Sequence, residues 1–154
     1  MSVQIVLGSK NDLKVAEKAV VILKELGVKH KVSIASAHRT PELVDKLVSE
    51  ADAEVFIAIA GLSAALPGVI AARTLKPVIG VPVSGTLNLD AILSVVQMPP
   101  GVPVAAVGLD RGDNAALLAA EIIALKDEKV RKALVRHRQK LKDMVALDSK
   151  EVEI

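Results

Sequence analysis

Short apolar runs alternate with segments of helical periodicity along the whole chain, and this pattern predicts the secondary structure. Strands are predicted at residues 3–7, 31–35, 55–60, 77–83 and 103–107. Helices are predicted at residues 12–26, from Pro41 onward, and at residues 66–73, 89–97, 113–125 and 127–145. Because strand and helix alternate at the spacing of a βαβ unit, we expect an α/β fold in which helices cover both faces of a parallel sheet.

Five strands of this kind favour a doubly wound, flavodoxin-like sheet of order 2-1-3-4-5 in three layers, with the last helix as a C-terminal extension. Local signals place the ends of two helices. Gly27 is the predicted stop of the first helix. Thr40 is the predicted N-cap of the second helix and Pro41 its first residue, where the missing N–H costs nothing. One face of the first helix is apolar and is formed by Val15, Ala19, Leu23 and Leu26.

Composition excludes several classes of function. The chain has 154 residues and no cysteine, so disulfide and thiolate chemistry are excluded. Phe56 is the only aromatic residue, which removes the stacking surfaces of flavin and single-stranded nucleic-acid binders, and a net charge of +2 is small for a nucleic-acid partner. Glycine and proline interrupt the uncharged runs at 55–72 and 91–109, so we expect no membrane span. The opening residues, MSVQIVLGSK, do not resemble a signal peptide, and we expect a cytoplasmic protein.

Charge is distributed unevenly along the chain. Between residues 55 and 109 only Arg73, Lys76 and Asp90 are charged. The helices of a monomer would expose apolar outer faces there, and such faces usually mark subunit contacts, so we expect an obligate homo-oligomer larger than a dimer. Residues 126–142 are strongly basic, which is typical of a nucleic-acid or membrane-surface helix, but their apolar stripe favours packing on a neighbouring subunit.

Unusual residues follow four of the predicted strands. The segments are GSKND at 8–12, SAHRTP at 36–41, AGLSAALPG at 60–68 and PVSGTLN at 82–88. In open parallel sheets, ligands bind beyond the carboxyl ends of the strands, near the point where the strand order reverses. The four loops are therefore expected to meet at one edge of the sheet and to form a binding site.

The first loop has the features of an anion site. Gly8 would let a ligand approach the backbone, Ser9 can donate to a phosphate oxygen, and the following helix start favours negative charge. The Asp12 carboxylate can accept hydrogen bonds from ribose hydroxyls. The alternative is that Asn11 or Asp12 only caps the helix.

The second loop carries the most specific chemistry. Arg39 can clamp a phosphate through bidentate hydrogen bonds, and Ser36 adds a donor. His38 is a candidate for proton transfer because imidazole is the side chain that titrates near neutral pH. A histidine at a strand end can also be a purely structural hydrogen-bonding residue.

The third loop contributes small residues, Gly61, Ser63 and Ala64, whose exposed N–H groups could receive a carboxylate or carbonyl oxygen; close helix packing is the alternative. No pair of His, Asp or Glu residues has the spacing of metal ligands, so no metal is expected, and His30 and His137 are interpreted as structural.

Over about residues 3–125, GSKND, SAHRTP, AGLSAALPG, PVIGVPV and SVVQMPPGVPVAAV resemble the PurE family of purine biosynthesis in order and spacing. The resemblance implies conversion of N5-carboxyaminoimidazole ribonucleotide to 4-carboxyaminoimidazole ribonucleotide, without metal, ATP or organic cofactor, by an octamer of flavodoxin-like subunits. Residues 1–125 would then form the catalytic domain, and residues 126–154 a C-terminal helix and tail packed on a neighbouring subunit.

The resemblance also implies roles for single residues. Ser9, Ser36 and Arg39 would hold the 5′-phosphate of the phosphorylated ribotide, Asp12 its ribose, and His38 would be the general acid and base. The carbamate would lose CO2, and C4 of the imidazole would recapture the trapped CO2. The loop at residues 61–65 and the segment QMPPG at residues 97–101 are the candidate lid and CO2 pocket.

Two positions depart from the family pattern. Ala65 stands where a second histidine is common, and Asn11 replaces a common serine. The animal-type branch, which takes free CO2, also lacks that histidine but reads AHKGP where this chain has AHRTP, so we favour the mutase. An aminoimidazole ribonucleotide carboxylase that uses free CO2 and a non-catalytic nucleotide-binding module remain the alternatives.

Overall fold

A computed structural model describes residues 1–152 of the chain. The strands are β1 (Ser2–Leu7), β2 (Lys29–Ile34), β3 (Val55–Ala60), β4 (Val78–Pro82) and β5 (Ala105–Ala106). The helices are α1 (Leu13–Glu25), α2 (Pro41–Glu50), α3 (Leu66–Ala71), α4 (Asn88–Val96), α5 (Gly112–Ala124) and α6 (Glu128–Glu151). A 3₁₀ turn at Lys10–Asp12 leads into α1.

The strands form one parallel sheet of order β2-β1-β3-β4-β5, which confirms the predicted topology. β1 pairs with β2 on one side and with β3 on the other, so the strand order reverses at β1. Every residue of β3 and β4 is buried, because helices cover both faces of the sheet. The carboxyl ends of β1 and β3 therefore lie side by side at the switch point, where ligands bind in such sheets.

The core consists of two apolar layers, one on each face of the sheet. One layer joins β1, β3 and β4 to α1, α5 and the start of α6. The other joins the opposite faces of the same strands to α2, α3 and α4. Packing is closest at two glycines: a Cβ on Gly112 would lie 2.0 Å from the carbonyl oxygen of Val15, and one on Gly80 would lie 2.5 Å from Val95 Cγ1. These glycines let helix α5 approach α1, and helix α4 approach the sheet.

The structure corrects three local predictions. β5 spans two residues rather than 103–107, and because Pro103 has no N–H to donate, the ladder cannot extend through it. Helix α6 continues to Glu151 instead of ending near residue 145, since nothing in its sequence interrupts the helix. Thr40 is the N-cap of α2, but its hydroxyl does not cap the helix; it accepts a hydrogen bond from the Ser36 N–H at 2.9 Å.

Helix α6 is divided between a packed half and an exposed half. Its first turns pack on α5 and bury Val130, Ala133 and Leu134, and His137 is buried beside Glu25 of α1. Residues 138–152 are exposed. Contact of this helix with a neighbouring subunit stays a prediction, and residues 153–154 of the predicted tail lie outside the described part of the chain. Among residues 1–152, no helix combines the length and the apolar character needed to cross a membrane.

Candidate functional site

A cavity of about 490 Å³ lies beyond the carboxyl ends of β1, β2, β3 and β4, where the four loops were expected to meet. It is enclosed by residues from all four loops. The predicted site residues that line it are Gly8, Ser9, Asn11, Asp12, Ser36, His38, Arg39, Gly61 and Ser63. The strand order thus brings together residues that are as far as 55 positions apart along the chain.

The first loop is held by a reciprocal pair of hydrogen bonds. Ser9 Oγ accepts the Asn11 N–H at 3.2 Å, and Asp12 Oδ2 accepts the Ser9 N–H at 2.8 Å. This capping box belongs to the 3₁₀ turn, and the Asp12 carboxylate makes no capping bond to α1. Asp12 therefore occupies the N-cap position of α1, but its carboxylate shapes the loop and does not cap that helix.

Asp12 is a buried carboxyl group, with 5% of its surface exposed. Burial raises its pKa above the usual value, and the opposing effects are the hydrogen bonds from Ser9 and the positive charge of Arg39. An ionised carboxylate in this position has lost much of its hydration. Any hydrogen-bond donor that enters the cavity, such as a pair of vicinal hydroxyls, would stabilise this carboxylate.

The second loop places a cation and an imidazole on the same cavity wall. Arg39 Nη2 donates to the carbonyl oxygen of Gly8 at 3.0 Å, and Arg39 Nε donates to Ser36 Oγ at 3.3 Å. The guanidinium therefore ties the first loop to the second. No carboxylate among residues 1–152 forms a direct ion pair with it, and Asp12 is the carboxylate whose pKa its charge lowers.

His38 is exposed at the cavity wall, next to Arg39 in sequence. The side-chain hydrogen bonds of this loop involve Ser36, Arg39 and Thr40. They leave the His38 ring without a hydrogen-bond partner among the described residues. Both ring nitrogens are available to a ligand.

The third loop is strained and partly enters the cavity. Ser63 has a φ of 52°, in the left-handed region that is costly for a residue with a side chain, and its N–H donates to Asp90 Oδ2 at 3.2 Å. Ala64 departs from its predicted place: it is completely buried in the apolar layer below the loop and presents no exposed N–H to the cavity. Ala65, at the family's histidine position, is half-buried and stands between Ala64 and Leu66 at the start of α3.

The segment QMPPG, at residues 97–101, does not line this cavity. Helix α4 explains its position, because a crossover helix in a parallel sheet returns the chain from the carboxyl edge to the amino edge. The segment follows the end of α4 at Val96. Within one chain the segment therefore lies away from this cavity, and its share in a lid and CO2 pocket stays a prediction.

Sequence analysis missed Ser84 in the fourth loop and Asp110, which contacts it from the connection between β5 and α5. Ser84 lines the cavity, and its N–H donates to Asp110 Oδ1 at 2.8 Å. Ser84 belongs to the segment PVSGTLN, but a single serine in a loop carries no distinctive signal. Asp110 lies 26 residues later, and only the tertiary structure brings it to the loop. Among residues 1–152, no group of three or more His, Asp or Glu side chains is arranged to hold a metal ion.

Comparison with known proteins gives a consistent result. The family model described as AIR carboxylase matches residues 2–144. A protein of Methanocaldococcus jannaschii named N5-carboxyaminoimidazole ribonucleotide mutase is 61% identical over 150 residues, covering 97% of this chain and 96% of the relative. A protein of Methanobrevibacter smithii, named probable N5-carboxyaminoimidazole ribonucleotide mutase, is 51% identical over 154 residues, and the match covers 45% of that longer protein.

The fold agrees with a solved structure from the same group. The crystal structure of Treponema denticola PurE superposes with a TM-score of 0.88 at 30% sequence identity, over 99% of this chain and 98% of that one. One family model matches residues 2–144, and the similarity to the Methanocaldococcus jannaschii protein covers 96% of that protein. The chain therefore belongs to the AIR carboxylase (PurE) family.

Proposed function

We propose that this protein converts N5-carboxyaminoimidazole ribonucleotide to 4-carboxyaminoimidazole ribonucleotide in purine biosynthesis. The observation that carries the proposal is the presence, on one cavity wall, of an exposed imidazole and a guanidinium that forms no direct ion pair within residues 1–152. The guanidinium suits a phosphate and the imidazole a proton transfer. The names of the most similar relatives agree with this reaction.

The phosphate end of the substrate is assigned to the first two loops. Arg39 supplies the positive charge, and Ser9 and Ser36 supply hydroxyl donors beside it. The buried Asp12 carboxylate accepts hydrogen bonds from the ribose hydroxyls, which replace part of its lost hydration. Gly8 and Asn11 complete the wall of this end of the cavity.

The proposed chemistry moves one proton through His38. As the bond between N5 and the carboxylate breaks, the His38 imidazolium donates a proton to the nitrogen, and CO2 and aminoimidazole ribonucleotide remain in the cavity. C4 of the imidazole then attacks CO2 and forms the new carbon–carbon bond. The neutral imidazole removes the C4 proton, which restores aromaticity and regenerates the imidazolium. No metal or organic cofactor is needed to balance these steps.

Retention of CO2 is assigned to the third loop, where Gly61, Leu62 and Ser63 line the cavity. Capture at C4 competes with escape, so the cavity must hold CO2 in line with the attacking carbon. Ala65 is not a second acid or base, so His38 acts on both the nitrogen and the carbon.

A homo-oligomer is proposed from the surface of α4. Its outward side is an apolar stripe at helical spacing, formed by Leu89, Leu93 and Val96, each at least 41% exposed. Full burial of an exposed side chain of this kind contributes roughly 1.5–3 kcal/mol, and each of these half-exposed residues would contribute about half of that on association. We infer that this stripe and the exposed half of α6 join subunits of an octamer, and that the enzyme is cytoplasmic, as its metabolic role requires.

The rival activity is carboxylation of aminoimidazole ribonucleotide by free CO2, and the name of the matching family, AIR carboxylase, is a reason to test it. The substrate carbamate is supplied in ¹³C-bicarbonate with carbonic anhydrase, and the carboxyl group of the product is analysed by mass spectrometry. A mutase gives an unlabelled product, because CO2 does not leave the cavity. A fully labelled product, with equal turnover from aminoimidazole ribonucleotide and bicarbonate, would establish the carboxylase. Ribotide binding without turnover from either donor would establish the non-catalytic module.

A further inference from the structure

Asp110, in the connection between β5 and α5, adopts a left-handed backbone conformation, which few residues other than glycine adopt. Its φ is 57°, and Ser63 is the only other non-glycine residue among 1–152 with a positive φ. Three contacts hold it: its N–H donates to the Pro82 carbonyl at 2.9 Å, its carbonyl accepts from Lys18 Nζ at 3.1 Å, and its carboxylate accepts the Ser84 N–H at 2.8 Å. Strained residues that are held this firmly cluster at functional sites.

The hydrogen bond to the Asp110 carboxylate is one of three that hold the backbone of the fourth loop. The Val83 N–H donates to the Ala60 carbonyl at 3.0 Å, and the Gly85 N–H donates to Asn88 Oδ1 at 2.8 Å. With the Ser84 N–H bound to Asp110, three consecutive backbone donors of the loop are used within the protein. The Ser84 hydroxyl makes no hydrogen bond within residues 1–152, so it is the polar group that this loop offers to a ligand in the cavity it lines.

The strand order indicates which part of the ligand Ser84 meets. Its loop follows β4, and Arg39 follows β2, three strands away in the order β2-β1-β3-β4. At the normal spacing of strands this is about 14 Å along the sheet edge. Gly61 lies beside Val83, since a Cβ on Gly61 would be 3.8 Å from Val83 Cβ. Ser84 therefore adjoins the third loop, at the end of the cavity away from the phosphate.

We propose that Ser84 donates a hydrogen bond to the carboxylate at C4 of the product, and that Asp110 is the positioning residue that fixes Ser84 for this contact. The proposal rests on the proposed function, since that function supplies a ligand with a phosphate at one end and a carboxylate at the other. Lys18 acts one step further away, because it holds the carbonyl of Asp110 from helix α1.

The test compares two ribotides that differ only in the carboxylate. Calorimetric titration of Asp110→Gly is expected to show binding of 4-carboxyaminoimidazole ribonucleotide weakened about tenfold, the loss of roughly one hydrogen bond to a charged group. Binding of aminoimidazole ribonucleotide is expected to stay within about twofold, because it has no carboxylate to lose. Glycine accepts the positive φ, so the variant should melt within a few degrees of the wild type. Asp110→Asn, which keeps an oxygen acceptor and tolerates the same φ, is expected to restore binding of the carboxylated ribotide.

A double-mutant cycle shows whether Asp110 acts through Ser84. Ser84→Ala alone should match Asp110→Gly, and the double variant should lose no more than either single variant. Additive losses, or equal weakening for both ribotides, would overturn the positioning role. Wild-type affinity of Asp110→Gly for the carboxylated ribotide would overturn it as well, while leaving the proposed function intact. Failure of the wild-type protein to bind either ribotide would overturn the proposed function and this inference together.

Discussion

Arg39 offers a quantitative test of the phosphate site. Its guanidinium bridges the Gly8 carbonyl and Ser36 Oγ and has no carboxylate partner among the described residues. A phosphate would be its first anionic hydrogen-bond partner, and a charge-assisted hydrogen bond contributes about 1.5–3 kcal/mol. Taking about 2 kcal/mol for this exposed group, Arg39→Ala should weaken ribotide binding roughly 30-fold.

Calorimetric titration with aminoimidazole ribonucleotide and with the corresponding nucleoside, which lacks the phosphate, separates charge recognition from general damage. Arg39→Ala should lose affinity for the ribonucleotide and little for the nucleoside. Arg73→Ala is the matched control, because Arg73 pairs with Asp45 outside this cavity and should leave both affinities unchanged. Unchanged ribonucleotide affinity in Arg39→Ala would remove Arg39 from the phosphate site. Equal losses for both ligands would show that the substitution only disturbs the loops.

Three further predictions concern stability and assembly. Because burial raises the pKa of Asp12, its favourable contribution to folding is complete below the pKa of the unfolded chain and is lost as pH rises through the folded value. At pH 7, Asp12→Asn should therefore have a melting temperature no lower than that of the wild type, but it should bind the ribotide more weakly. Any excess of its melting temperature over that of the wild type should become smaller at acidic pH. A lower melting temperature of the variant at pH 7 would contradict this. Gly112→Ala should lower the free energy of unfolding, measured by urea denaturation, by about 2 kcal/mol or more, because its Cβ would collide with the Val15 carbonyl. Gly85→Ala should leave the free energy of unfolding unchanged, because there is open space around Gly85. Leu93→Asp should lower the mass measured by light scattering, since it places a charge in the apolar stripe of α4, and an unchanged mass would exclude the stripe from the interface.

Much of the fold could be predicted because local pattern and tertiary environment agree. β3 occupies the predicted residues 55–60, since a short run of apolar residues that ends at a glycine fits a fully buried strand of a parallel sheet. The convergence of the four loops followed from the strand order alone. The predicted length of β5 was wrong. Hydropathy marks residues 103–107 as one apolar run, but Pro103 has no N–H and shortens the ladder of this edge strand.

The site was predictable where a residue type has distinctive chemistry and less so where its role depends on tertiary contacts. The pair His38 and Arg39 is unusual at a strand end, and both residues line the cavity. Ala64 could not be distinguished from its small neighbours, because only the backbone path decides which of them is buried. Asp110 carries no sequence signal, because its importance lies in a positive φ and a hydrogen bond to a residue 26 positions away.

The most direct test of the proposed chemistry is the replacement of His38 by asparagine, which keeps a polar side chain but cannot shuttle a proton. Ribotide affinity is measured by calorimetry, and turnover of the carbamate by appearance of 4-carboxyaminoimidazole ribonucleotide. Affinity should stay within about threefold of wild type, while kcat should fall roughly 10²–10⁴-fold, the usual contribution of a positioned acid and base. A His38→Asn variant that turns over at the wild-type rate would show that the proton travels by another route.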